Sequence, residues 1–235
     1  YSFLEKKYEN LTTCDLICHG VPSQLVLKEY IKVLEQNSKK KVVSFGRENT
    51  NQYLPVQYIV RYDDGSNEIL MPETSNYRKG FLSNLFQRKS CYTCSYSRLP
   101  RVGDITLGDA MFFNKEKTKE IDPLNLGISL ITINTEIGEK ELKDIDDRIE
   151  KHIIPLELAI NGNEWLSKTI PSNSLRKAFY KRFMRAGFEK SEQIICKSYN
   201  RWKRGGRKYY KNLIKTLLSP KELFKKIKKR VFGIK

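Results

Sequence analysis

The sequence predicts an α/β fold, with α+β as the alternative: a mixed sheet, flanking helices and a basic helical C-terminal tail. Three observations lead there. Residues 12–36 read as strand, tight loop, helix. Residues 42–71 are dense in β-branched and aromatic residues around an Asp64-Gly65 turn. "GISLITINTEIG", residues 127–138, is an apolar strand running straight into a helical pattern.

The elements follow in order. The opening "YSFLEKKYENL" reads as a helix already under way, so the chain is taken as a fragment with an upstream part missing. Thr12, Thr13, Leu16 and Ile17 favour extended backbone, and Gly20 and Pro22 end that strand. Ser23 suits an N-cap, and Leu27, Tyr30, Ile31 and Leu34 then recur at helical spacing. The intervening loop presents Cys18 and His19 at the strand's end. "VVSFGRE", "LPVQYIVRYDDG" and "EILM" are strands. "YRKGFLSNLF" is a short helix leading into Cys91, and "DITLGDA" is a short strand with a glycine break. Gly138 opens a helix through "EKELKDIDDRIEK", and shorter helical pieces follow around Pro155 and Pro171. Two basic helical patterns close the chain, one over 209–218 and one with Leu223, Phe224, Ile227 and Val231 on a stripe. The division is a body over 1–190 and a basic amphipathic tail over 191–235.

Charge separates the same two parts. The chain carries a formal +17, and residues 197–235 hold 15 Lys and Arg against one acid, Glu222. The body is therefore close to neutral, and the tail's charge speaks of partners rather than of fold. An apolar stripe among lysines suits an anionic membrane surface. Nucleic acid is the weaker reading, and a solvated tail is the plain one. No apolar run is long enough to span a bilayer. No dinucleotide-binding glycine motif, Walker loop, Ser-His-Asp set or zinc-hydrolase signature is present.

Five cysteines, an odd number in a Lys-rich chain of 235 residues, point to a reducing, cytoplasmic setting and to metal or redox chemistry. Cys91 and Cys94 form a CxxC. Structural thiols, a redox pair, a zinc clip and an iron–sulfur cluster all remain open for that spacing. Cys18 is the natural third ligand. Cys14 reads as a buried apolar thiol, and Cys196 is given no role. Arg88, Arg98 and Arg101 suit a pyrophosphate or an acidic substrate. Gly103-Asp104 and Gly108-Asp109 permit either close backbone approach to a cofactor or plain turns. His19 is the candidate proton donor, weighed against a structural hydrogen-bonding role.

"DLICHGVPS", "FLSNLFQRKSCYTC", "RVGDITLGD" and "GISLITINTEIG", in that order, resemble the beta subunits of coenzyme F420 hydrogenases and dehydrogenases, in particular the bacterial type encoded among surface-polysaccharide genes. The resemblance implies an iron–sulfur flavoprotein oxidoreductase. It implies that Cys18, Cys91 and Cys94 hold a [4Fe–4S] cluster, with the fourth cysteine in an upstream "GTPC" motif. FAD is the implied flavin, near Arg88, Arg101, Asp104, Gly108 and Asp109, with a ferredoxin-like domain or protein as electron partner. Here "GDAMFF" stands where the family usually reads "GDFWG", and "FGRENT" where it reads "FRDK". The alternative is a zinc- or cluster-stabilised non-catalytic module of polysaccharide biosynthesis that docks through the tail, peripheral to the inner membrane face.

Overall fold

The computed structural model describes residues 6, 8, 10–48, 57–71, 74–110 and 128–217. Of the expected opening helix, Lys6, Tyr8, Asn10 and Leu11 are described and are not helical; its other residues, the second tail helix, Asn49-Thr50 of "FGRENT" and residues 111–113 of "GDAMFF" lie outside the described residues.

Strand β1 (Cys14–Leu16) leads through a loop into α1 (Gln24–Ser38). Three consecutive strands follow: β2 (Val42–Glu48), β3 (Gln57–Tyr62) and β4 (Asn67–Leu70). Next come α2 (Asn76–Leu82), a 3-10 turn (Lys89–Thr93), β5 (Ile105–Asp109) and β6 (Ser129–Ile133). The helices α3 (Glu136–Lys143), α4 (Leu156–Gly162), α5 (Arg176–Ala186) and α6 (Glu192–Leu217) complete the described chain.

Among the described residues the strands form two three-stranded sheets. One is mixed: β1 pairs β5 in parallel, and β5 pairs β6 antiparallel. The other is an antiparallel meander, β2-β3-β4. The α/β class with a mixed sheet and flanking helices holds, and the β-rich stretch forms a sheet of its own. The reason is local: β3 and β4 are joined by a tight turn at Gly65 (φ +81°), so these strands satisfy one another first.

The main core lies between α1, the meander, α2, α5 and the start of α6. It buries Tyr30 and Leu34 of α1 as expected, together with Val26, while the expected Leu27 and Ile31 are only partly buried. Against it pack Val60, Tyr62, Tyr77, Phe86, Phe179, Phe183, Phe188 and Ile195. A smaller cluster of Leu130, Ala159 and Leu166 covers the mixed sheet, with Ile17 against it. Helix α3 begins earlier than expected. Thr135 caps it by accepting from the Gly138 amide, so Gly138 sits inside the first turn. Helix α6 runs without a break from Glu192 to Leu217, taking in all but the last residue of the expected 209–218 pattern, and it starts inside the core at Ile195 and Ser198.

Cys14 departs from expectation: it is exposed. Among the described residues β1 is an edge strand of the mixed sheet, and Asp15, not Cys14, takes the inward position. A three-residue edge strand has too little covering it to hide both faces.

Candidate cysteine turn and its surroundings

β1 ends at Leu16, and the next six residues form the turn that matters. Its far side is zipped to the segment before the CxxC. Pro22 bridges Gln87, the Ser23 amide donates to the Phe86 carbonyl at 2.9 Å, and the Arg88 amide donates to the Val21 carbonyl at 2.8 Å. Inside this zipper two sulfurs meet one stretch of backbone. The Gly20 amide donates to Cys18 Sγ at 3.2 Å, and the Val21 amide donates to Cys91 Sγ at 3.2 Å. Adjacent amides are a single residue apart, so these two sulfurs lie within about 10 Å of each other. Cys94 follows Cys91 by three residues and is the C-cap of the 3-10 turn, where the backbone turns extended. Cys18 is exposed, and Cys91 and Cys94 are half-buried; all are free thiols.

Gly20 makes this turn possible. It adopts φ +93°, and a Cβ there would stand 3.0 Å from the Gln87 and Ile170 side chains and 3.2 Å from Cys91 Cβ. Any other residue would strain the backbone and push Cys91 away. The CxxC turn has its own anchor. The Tyr92 hydroxyl donates to the Asn84 carbonyl and accepts from Arg176, whose guanidinium stacks on Tyr92 and Tyr180. Tyr92 thus ties the turn to α5, and burial pushes its phenol up.

His19 sits between Phe81 (ring centroids 5.0 Å) and Trp165 (5.7 Å). Its Nε2 is buried without a hydrogen-bond partner among the described residues. Burial lowers its pKa, which favours the neutral imidazole. Gln87 is fully buried beside the turn; its amide donates to the Phe81 carbonyl at 2.6 Å, while its Oε1 is unpartnered among the described residues. Trp165 lay in no motif, and Gln87, though inside "FLSNLFQRKSCYTC", was not singled out. The signal within reach was "CHGVP" itself, a string with a glycine and a proline directly after a cysteine.

The other expected site residues divide in two. Arg101 is buried and committed. It pairs with Asp15 at 3.0 Å and donates to the Tyr96 and Leu16 carbonyls at 2.8 and 3.1 Å. Asp104 is also buried: Oδ2 accepts from the Thr13 amide and hydroxyl at 2.8 and 2.6 Å, and Oδ1 accepts from the Thr135 hydroxyl at 2.6 Å. These bonds, the Thr13 hydroxyl's first, hold its carboxyl below the usual carboxylate range. Both residues tie β1 to the elements beside it. Gly108 meets Ile17, since a Cβ there would lie 2.5 Å from Ile17 Cδ1, so close packing already requires it. Arg88 and Asp109 are exposed, Asp109 at the end of β5 with its carbonyl accepting from Asn163.

An iron–sulfur cluster takes four thiolates. Cys18, Cys91 and Cys94 fit that group in kind, and the amides aimed at two of the sulfurs are the donors such a cluster uses. Among the described residues, no three His, Cys, Asp or Glu side chains are gathered closely enough to hold a metal ion. No described helix is long and apolar enough to cross a membrane. Residues 3–157, more than half of the chain, match the family described as coenzyme F420 hydrogenase/dehydrogenase, the C terminus of the beta subunit. No curated protein matches the chain.

Proposed function

The chain belongs to the family formed by the C-terminal part of the coenzyme F420 hydrogenase/dehydrogenase beta subunit, an oxidoreductase-related one, and from that premise we propose an iron–sulfur flavoprotein that relays electrons between a [4Fe–4S] cluster and a flavin or hydride carrier. One observation carries the reading: consecutive amides of a single turn donate to the sulfurs of Cys18 and Cys91, which are 73 positions apart in the chain.

Cys18, Cys91 and Cys94 would hold the cluster, with the fourth thiolate supplied from another segment. When bound, the cluster supplies one-electron carriage, and the flavin joins single electrons to hydride chemistry. The chain's own residues do the positioning. Gly20 lets the turn close, the Gly20 and Val21 amides orient and partly neutralise two thiolates, and Tyr92 with Arg176 fixes the CxxC turn. Arg88, Gly108 and Asp109 stay the residues proposed beside the flavin. Arg101 and Asp104 serve it only through the strands they lock. His19, buried and directly after Cys18, presents an unpaired nitrogen that could exchange a proton with a bound group. The basic segment 197–235 is proposed to rest on anionic lipid.

The test is anaerobic purification of the full-length protein followed by iron, acid-labile sulfide and flavin analysis. Iron and sulfide together are expected, with loss of both in Cys91→Ser. Full iron content in that variant would remove Cys91 from the ligand set. Zinc without sulfide would replace the relay with the zinc-stabilised module.

A further inference from the structure

The surface around the cysteine turn is unusual in two respects. Its centre is apolar: Leu16 is 65% exposed, Tyr96 58% and Val102 59%. These come from separate segments and are gathered by the buried guanidinium of Arg101, which holds the Leu16 and Tyr96 carbonyls and stands next to Val102. Its rim is basic: Arg88, Lys89 and Arg98 are all exposed. Between Phe86 and Gly103 the chain has four basic residues and no acid. Asp15 is paired with Arg101, and Asp104 keeps its charge but is buried among Thr13 and Thr135, so the exposed charge of this segment is that of Arg88, Lys89 and Arg98.

An apolar centre with a polar rim is the anatomy of a protein interface, and a rim of one sign selects a partner of the other. We propose that this face is the docking surface for a small acidic electron-carrier protein, which it brings up against the Cys91–Cys94 turn. The inference rests on the relay reading, and names its partner by charge. Positive steering would speed encounter and weaken with salt, while Leu16, Tyr96 and Val102 supply the dry contact.

The experiment uses the full-length protein and, as probe, a purified small ferredoxin of net negative charge, with binding followed by calorimetry at low and high salt. Binding that weakens with salt is expected. Lys89→Glu with Arg98→Glu should weaken it roughly tenfold or more. The charge-keeping pair Lys89→Arg with Arg98→Lys should retain it, as should Gln in place of Lys225, Lys226, Lys228 and Lys229. Circular dichroism confirms that each variant folds. Absence of binding at low salt overturns the proposal. So does equal loss in the tail variant, which would make the tail the site. So does binding to phosphatidylglycerol vesicles, abolished by Lys89→Glu with Arg98→Glu, in place of ferredoxin. Iron and sulfide assays on the same preparations keep the two readings apart: ferredoxin binding without a cluster leaves the surface standing and sinks the relay, and a cluster without binding does the reverse.

Discussion

The two sheets are held by different physics. Around the meander β2-β3-β4 the neighbours are rings: Tyr30 stacks on Tyr77, Phe45 on Tyr58, Tyr77 on Phe86 and Phe179 on Phe183. The mixed sheet β1-β5-β6 has only the small Leu130 cluster as apolar cover, and its joints to neighbouring segments are polar: Asp104 joins Thr13 to Thr135, Arg101 joins Asp15 to the 96–101 loop, and Asn134 donates to the Gly103 carbonyl and to the Thr106 hydroxyl. The cysteine turn leaves one side and enters the other. The difference teaches where each property comes from. Apolar burial supplies bulk stability with little dependence on pH, whereas the polar staples fix the position of β1 and hence of Cys18, and they respond to protonation.

The largest effect is expected on the aromatic side. Phe86 is fully buried between Tyr77 and Phe179, and its carbonyl also anchors the Ser23 amide of the turn. Phe86→Ala leaves the backbone bond but opens a cavity, and should cost about 3–5 kcal/mol in denaturant melts. A loss below about 1 kcal/mol would mean that the rings are not the main store of stability.

Next comes the buried pair on the polar side. Arg101→Met leaves Asp15 with no countercharge in a mostly covered position and should cost about 3 kcal/mol. Asp15→Leu together with Arg101→Met should recover part of that loss, because no lone buried charge remains. The single and double variants, melted side by side, decide whether the pair adds stability or mainly fixes register. If the double variant is as stable as the parent yet fails to retain iron at Cys18, the pair is a positioning device.

The same contrast explains what could be read from the chain. The aromatic side was legible, because α1, the meander and the Asp64-Gly65 turn leave local, periodic marks. The edge of the α1 stripe shows the limit of that reading: Val26 and Leu27 are adjacent and both apolar, and periodicity did not tell that Val26 is the fully buried one and Leu27 the partly buried one. On the polar side, Thr13, Asp104 and Thr135 carry no joint mark, since their bonds span 91 and 31 residues. Arg101 and Asp104 looked like ligand groups because an Arg and an Asp near glycines look alike whether they face a cofactor or a neighbouring strand. Cys14 failed as a buried thiol for a related reason, since periodicity says which residues alternate and not whether a strand is at an edge. Cys18 and the CxxC were legible as a pair of segments; the amides of Gly20 and Val21 that join them were not, being backbone.

The smallest and sharpest test is a titration. Asp104 is held below the ordinary carboxylate pKa by the Thr13 and Thr135 bonds. A depressed folded-state value means the unfolded chain binds the proton more readily. The contribution is therefore full above the unfolded value, near pH 4, and is lost as pH falls through the lower folded value. Asp104→Asn should cost about 1–3 kcal/mol at neutral pH and flatten the acid limb of stability against pH. Phe86→Ala should lower that whole curve without changing its slope below pH 4, because no proton is involved. If the two variants change the curve in the same way, the division of labour between the sheets is wrong. If only Asp104→Asn also speeds alkylation of Cys18, with Cys196 unchanged, then the staple acts on the cysteine turn by holding β1 in place.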